Sequence, residues 1–194
     1  MSRRILTGIT TTGIPHIGNY FGAIKPALQL SSEKNVSSYF FLADLHAIIK
    51  QTNPNEIKVS VNEVALAWLS SGLDPEKSFF YRQSNIPEIT ELAWILSCVT
   101  AKGLINRSHA YKAAVQLNHD HTKDEDKGIS MGLFSYPVLM AADILMFNSS
   151  HVPVGKDQLQ HLEITRDIAE KFNHQYGNTF VIPEAIINKD GKLL

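Results

Sequence analysis

Short apolar runs recur along the chain, and stretches of helical periodicity separate each from the next. The runs cover residues 5–7, 36–43, 78–81, 151–154 and 179–182. The second, VSSYFFLA, is apolar through its second half without alternation, the pattern of a strand covered on both faces. Between runs, apolar residues return at helical spacing, as at Val59, Val64, Leu66, Trp68 and Leu69 after the helix opening Asn53-Pro54-Asn55-Glu56. Strand–helix alternation predicts an α/β fold, a parallel sheet with helices on both faces. At 194 residues with no repeat and no linker, one domain is expected.

The first strand leads into a stretch that points to a ligand. Gly8 and Gly13 bound a loop containing Thr10, Thr11 and Thr12, and Pro15-His16-Ile17-Gly18-Asn19 opens a helix running to about Leu30. A strand, a glycine-bounded loop and a helix start place free backbone N–H groups and a helix dipole beside a phosphate. His16 and Asn19 add side-chain donors, and Gly18 leaves room for a flat ring against the backbone. An ordinary βα turn with a polar cap would also fit. The dinucleotide fingerprint G-x-G-x-x-G and the G-K-[ST] ending of a P-loop are absent.

Further polar residues fall at the expected carboxyl ends of strands, where open α/β sheets bind ligands. They are Asp44-Leu45-His46, Arg82-Gln83-Ser84 and the turn Gly155-Lys156-Asp157-Gln158, in which Asp157 is a natural N-cap. Residues 130–148 predict a helix apolar nearly all round, with Pro137 bending it or marking its effective start. Asp143 is its one formal charge. Either it pairs with something structural, or it stands at the base of an apolar pocket that Tyr136 and Met140 wall.

Elsewhere, Trp68 is expected in the core, and Trp94 and Cys98, at i and i+4 of a helix over 88–98, are expected to be buried. Arg107, His109 and Lys112 are placed on a short cationic helix. Residues 118–127, NHDHTKDEDK, read as a mobile, solvated surface loop rather than a metal cluster. A turn at 188–191 follows the last strand.

A net charge of -1 gives no general attraction to nucleic acid, so RNA contact would need a local patch. The single cysteine excludes an internal disulfide and a zinc–cysteine cluster, which fits a cytoplasmic setting. No apolar h-region follows Arg3-Arg4, and no apolar run is long enough to cross a bilayer.

Three of these stretches resemble one family. His16-Ile17-Gly18-Asn19, followed by Tyr20, resembles the HIGH signature of class I aminoacyl-tRNA synthetases in its tryptophanyl form. Residues 136–145, Tyr-Pro-x-Leu-Met-Ala-Ala-Asp-Ile-Leu, are similar to the tryptophan-pocket helix of bacterial-type tryptophanyl-tRNA synthetases. Pro153-Val154-Gly155-x-Asp157-Gln158-x-x-His161-x-Glu163-x-x-Arg166-Asp167 is similar to their G-x-D-Q ribose motif and following helix.

The likeness covers essentially the whole chain. It implies one Rossmann-like catalytic domain over 1–194, with a helical insertion at about 101–150. It implies activation of L-tryptophan by ATP, with Mg²⁺ on the nucleotide, and transfer to tRNA(Trp). By this resemblance Thr10, Thr11, Thr12, Gly18, Asn19, Gly155, Lys156 and Asp157 hold ATP. His16, Asn19, Gln158 and Lys112 serve the reacting groups. Asp143, Met140, Tyr136, His46 and Gln83 hold tryptophan, Asp143 accepting the indole N–H and Met140 packing on the ring. It also implies a homodimer joined by the helices before and around Ser130.

No K-M-S-K-S occurs, and no anticodon-binding domain is expected within these residues. The expectation is therefore the N-terminal fragment of a longer ligase, whose isolated activity would be impaired. The competing readings are a non-catalytic amino-acid or nucleotide-binding relative, a tyrosyl-tRNA synthetase, and a small-molecule nucleotidylyltransferase sharing the HIGH loop.

Overall fold

The computed structural model describes residues 3–155 and 158–187. Strands β1 (Arg3–Thr10), β2 (Val36–Ala43), β3 (Phe79–Arg82), β4 (His151–Val154) and β5 (Glu184–Ile187) form one sheet in the order β3-β2-β1-β4-β5. All neighbours run parallel. The chain steps from β1 outward to β3, then returns across the sheet to place β4 on the other side of β1. The order reverses between β1 and β4, and β1 meets β4 at Ile5↔His151, near the start of each strand. Ligands in such sheets bind in the crevice outside the carboxyl ends at this switch point.

Between β1 and β2, α1 (Ile17–Asn19) continues through a π-helical turn (Tyr20–Ile24) into α2 (Lys25–Ser31). After β2 come α3 (Asp44–Ala47) and α4 (Pro54–Ser70), the latter capped by the Asn53 side chain on the Asn55 N–H with Pro54 in its first turn. A tight turn (Gln83–Asn85) leads from β3 to α5 (Glu88–Val99), α6 (Lys102–Ile105), α7 (His109–Asp120) and α8 (Met131–Met146). Helix α9 (Leu159–Tyr176) joins β4 to β5.

The period-2 alternation of β2 divides the core. Phe40 and Leu42 face the α2 and α4 layer with Ile9, Ile24, Val64 and Trp68. Phe41 and Ala43 face the opposite layer with Leu6, Ile144, Val152 and Leu162. A third cluster continues that layer where α5, α8 and α9 pack through Ile89, Leu96, Val138, Leu145 and Ile168. Both faces of the sheet are covered, and Trp68 is fully buried in the core.

The structure corrects several expectations. Gly8 lies inside β1, whose ladder to β2 continues to Thr10, so it does not begin the loop. A Cβ at Gly8 would come within 2.3 Å of the Phe41 ring, so the glycine makes room for an aromatic on the neighbouring strand. The last strand is Glu184–Ile187 rather than 179–182. Residues Thr179 and Phe180 instead close the end of α9, because the Asn173 side chain accepts from both N–H groups and donates to the Phe180 carbonyl. Trp94 is 73% exposed and Cys98 is exposed, because α5 turns Ile89, Leu96 and Val99 inward.

Arg107 lies between α6 and α7, not on a helix. Asn118 is not a loop residue: it sits in α7, buried, and its amide donates to the carbonyls of Glu125 and Lys127, tying down the following turn. Pro137 does not start its helix, which begins at Met131 with Ser130 Oγ accepting the Leu133 N–H. The turn expected at 188–191 lies outside the described residues.

Candidate functional site

At the end of β1, His16 caps α1. Its Nδ1 accepts the Gly18 N–H at 3.0 Å, and its own N–H donates to Asn19 Oδ1 at 2.9 Å, a reciprocal capping box. The N–H groups of Asn19 and Tyr20 both donate to the His16 carbonyl, and that of Thr12 to the Thr10 carbonyl. The backbone amides expected to face a phosphate are therefore already partnered in large part. What the turn offers is side-chain donors, the Asn19 amide nitrogen and His16 Nε2, which carries the proton of the neutral ring because Nδ1 accepts. Gly18 is required locally, since a Cβ there would lie 2.8 Å from His16 Cε1. Thr10 and Thr12 are exposed, whereas the Thr11 side chain is fully buried.

The turn after β4 begins at the exposed Gly155, and Gln158 N donates to the Gly155 carbonyl at 3.0 Å. Lys156 and Asp157 lie outside the described residues. At the start of α9, Gln160 reaches back to the α6–α7 connection, donating to the Arg107 carbonyl at 3.0 Å and accepting the His109 N–H at 2.8 Å. This tie brings the start of α7, with the exposed Lys112 one turn along, beside the start of α9. Sequence reading did not single out Gln160.

The third part is built on α8. Asp143 is buried at 1% exposure and paired on three sides. The Gln83 amide donates to Oδ1 at 2.8 Å and to Oδ2 at 3.0 Å, and His46 Nε2 stands 2.9 Å from Oδ2. Burial pushes the Asp143 carboxyl above the usual range, while His46 and Gln83 oppose the shift. Tyr136 lies two turns back on the same helix. Its hydroxyl is 3.0 Å from His161 Nε2 and its ring meets the His46 ring edge-on at 6.3 Å. Met140, between Tyr136 and Asp143, packs against the core below β4. The ends of β2 and β3 thus meet one face of α8, which brings His46 and Gln83 onto Asp143, with Tyr136 two turns back on the same helix.

Sequence reading placed Asp44 and Arg82 among the polar residues at strand ends and His161 within a motif but gave them no role, and it did not single out Tyr81. His161 is buried and holds Tyr136. The Tyr81 hydroxyl is buried without a hydrogen-bond partner among the described residues, and burial with the nearby Asp143 keeps it protonated. Asp44, adjacent to Leu45 and His46 in sequence, was a visible but unused signal.

Comparison with known proteins identifies the family. The family model for class I tRNA synthetases of the tryptophan and tyrosine type matches residues 2–194. Tryptophan–tRNA ligase of Bordetella pertussis is 60% identical over 191 residues, 98% of this chain and 42% of that protein. The Pseudomonas putida ligase is 59% identical over 97% of the chain and 43% of its own length. Tryptophanyl-tRNA synthetase of Campylobacter jejuni, solved with ADP and tryptophan, superposes with a TM-score of 0.84 at 45% identity, over 96% of this chain and 56% of that one. A tyrosyl-tRNA synthetase from Archaeoglobus fulgidus, 17% identical over 96% of this chain and 55% of its own, shares the fold at a TM-score of 0.73. The chain spans less than half the length of the Bordetella pertussis and Pseudomonas putida ligases.

Proposed function

The chain belongs to the class I tRNA synthetases of the tryptophan and tyrosine type, and from that premise we propose that it is the catalytic part of a tryptophan–tRNA ligase. The choice of tryptophan over tyrosine rests on the 60% identity with a tryptophan–tRNA ligase; the observation in the site that fits it is the buried carboxylate of Asp143, an acceptor for a ring donor that the hydroxyl of tyrosine would also supply. Oδ2 receives hydrogen bonds from both Gln83 and His46, whereas Oδ1 receives Gln83 alone, leaving it a lone pair. A tryptophan ring offers one polar group, a donor, and an acceptor left unpaired by a ring without a donor costs about 1–3 kcal/mol. Met140 and Tyr136 supply the wall on which an indole packs.

In the reaction, the tryptophan carboxylate attacks the α-phosphorus of ATP in line, forming the mixed anhydride and expelling pyrophosphate. Tryptophan then passes to the terminal ribose of tRNA(Trp). The chain's residues act by position and charge rather than by covalent attack. Thr10, Thr12, Gly18, Asn19 and Gly155 bound the nucleotide, with Lys156 and Asp157 on its ribose side. Thr11, whose side chain is buried, shapes the loop from beneath. His16, Asn19 and Lys112 meet phosphate oxygens, and Gln158 lies beside the reacting groups. Mg²⁺ would enter with ATP, held mainly by phosphate oxygens and water.

In this reading residues 1–194 belong to the catalytic unit, and α6 to α8 fall within its helical insertion at about 101–150. Exposed Trp94, Ile95 and Met131 at α5 and the start of α8 support a homodimer through this surface. A cytoplasmic site of action follows from tRNA charging. No described helix is long and apolar enough to cross a membrane.

The test is ATP–pyrophosphate exchange in the intact protein. Tryptophan should support exchange and tyrosine should not, and Asp143→Ala should lose at least about tenfold in kcat/KM for tryptophan. Exchange driven by tyrosine would transfer the protein to the sister specificity. Tryptophan bound without exchange would favour a non-catalytic binding module.

A further inference from the structure

Asp44 touches none of the residues placed around the substrates, yet it bonds to both chain neighbours of Gln83 and lies two residues before His46, and Gln83 and His46 are the side chains that grip Asp143. It is the first residue of α3, directly after β2, and is 3% exposed. Its Oδ2 accepts Arg82 Nε at 2.6 Å and its Oδ1 accepts the Ser84 N–H at 3.0 Å. Burial alone would raise its carboxyl, but bonds from Ser84 and Arg82 outweigh it and hold it below the usual range. Arg82 and Ser84 flank Gln83, so Asp44 grips the chain on both sides of that residue.

A second tie runs the other way. Leu45 N–H donates to Gln83 Oε1 at 3.1 Å. That bond fixes which end of the amide is oxygen, and so turns the NH₂ group toward Asp143. Flipped, the same amide would set its oxygen against a buried carboxylate. One residue further, His46 completes the grip on Oδ2. The ends of β2 and β3 are thereby stapled to each other by Asp44 and Leu45, and together they present two donors to one carboxylate on α8.

We propose that Asp44, with Arg82 as its counter-ion, is a positioning residue for the amino-acid pocket. It acts through Gln83 and governs affinity for tryptophan rather than for ATP. This rests on the functional reading above. Among the described residues, the nucleotide side of the site, built on the loop after β1 and the turn after β4, shares none of these contacts.

The experiment uses Asp44→Asn in the intact protein, with KM for tryptophan and for ATP measured separately by pyrophosphate exchange. Asparagine keeps the shape and removes the charge. The expected result is a rise of about tenfold in KM for tryptophan, as for one weakened hydrogen bond to a charged group, with KM for ATP within about twofold. In a Gln83→Met background the same substitution should add less than about threefold, because the amide it positions is gone. A residue that merely supports the fold would weaken both substrates together and act equally in both backgrounds.

Either of those patterns, or an unchanged KM for tryptophan, overturns the proposal. Should Asp44→Asn not accumulate as folded protein, Arg82→Met decides the same question. It removes the counter-ion and leaves Ser84 N–H, and the selective loss for tryptophan should persist in smaller form, while equal losses for both substrates would overturn the inference. Absence of tryptophan-dependent exchange in the wild type would instead overturn the functional reading and this inference with it.

Discussion

Replacing Gly18 by alanine separates the fold of the first loop from its chemistry. The new Cβ would lie 2.8 Å from Cε1 and 2.9 Å from Nδ1 of His16, closer than such atoms approach. His16 is exposed, so the ring swings aside and the protein still folds. The cap on the Gly18 N–H is lost, at about 1 kcal/mol. Alanine in place of glycine inside a helix returns up to about 1 kcal/mol. Stability should therefore change by less than about 1 kcal/mol. Function should change far more, because His16 Nε2 no longer points where the capping bond aimed it. A displacement of an ångström at a positioned group costs about 10²-fold in rate. Urea denaturation and kcat/KM for ATP in pyrophosphate exchange measure the two effects. In a His16→Ala background no ring remains to displace, so Gly18→Ala should raise stability slightly and cost no further activity. Wild-type activity in the single variant, or the same loss in both backgrounds, would refute the reasoning.

Other perturbations test the frame around the site. Gly8→Ala drives a Cβ to within 2.3 Å of the Phe41 ring, which is stacked on Tyr81, and should destabilise by about 1–3 kcal/mol, with relief from Phe41→Leu in the double variant. Asn173→Ala removes the bonds that close the end of α9 on Thr179 and Phe180 and should cost about 1–3 kcal/mol in urea denaturation. The two buried aspartates should show opposite pH dependence. Asp44 has a lowered folded pKa, so its contribution is present above the ordinary carboxylate value and is lost as pH falls through the folded value. The stability gap between wild type and Asp44→Asn should therefore shrink on acidification. Asp143 has a raised folded pKa, so stability contributed by its site grows as pH falls through that value toward the ordinary one. Relative to Asp143→Asn, the wild type should gain. Stability curves of both variants between pH 3 and 6 check the signs.

Much of the architecture was legible because strands buried on both faces leave apolar runs, and because helix openings such as Asn53-Pro54 carry their own chemistry. The failures share a cause, which is that a distant residue settles a local ambiguity. Gly8 looks like loop punctuation until Phe41, on the next strand, is seen to fill its place. The run at 179–182 has strand composition, but Asn173 claims its backbone first. Helix α5 is apolar around much of its girth, so its sequence leaves open which face meets the core, and Trp94 falls outside. In the site, the composition of α8 singled out Asp143 as a buried charge. Its partners could not be read from spacing, because Gln83 and His46 arrive from strand ends 60 and 97 residues away. Asp44 was visible as a polar residue at a strand end, but its role was hidden for the same reason: it appears only when β2 and β3 lie side by side.

The central claim is that Asp143 reads the ring N–H of tryptophan. Calorimetric binding of tryptophan and of its 3-benzothienyl analogue to the intact protein tests it directly, since sulfur replaces N–H with little change in shape. Tryptophan should bind at least about tenfold more tightly, and Asp143→Ala should erase the difference. Equal affinity of the wild type for both ligands would contradict the account.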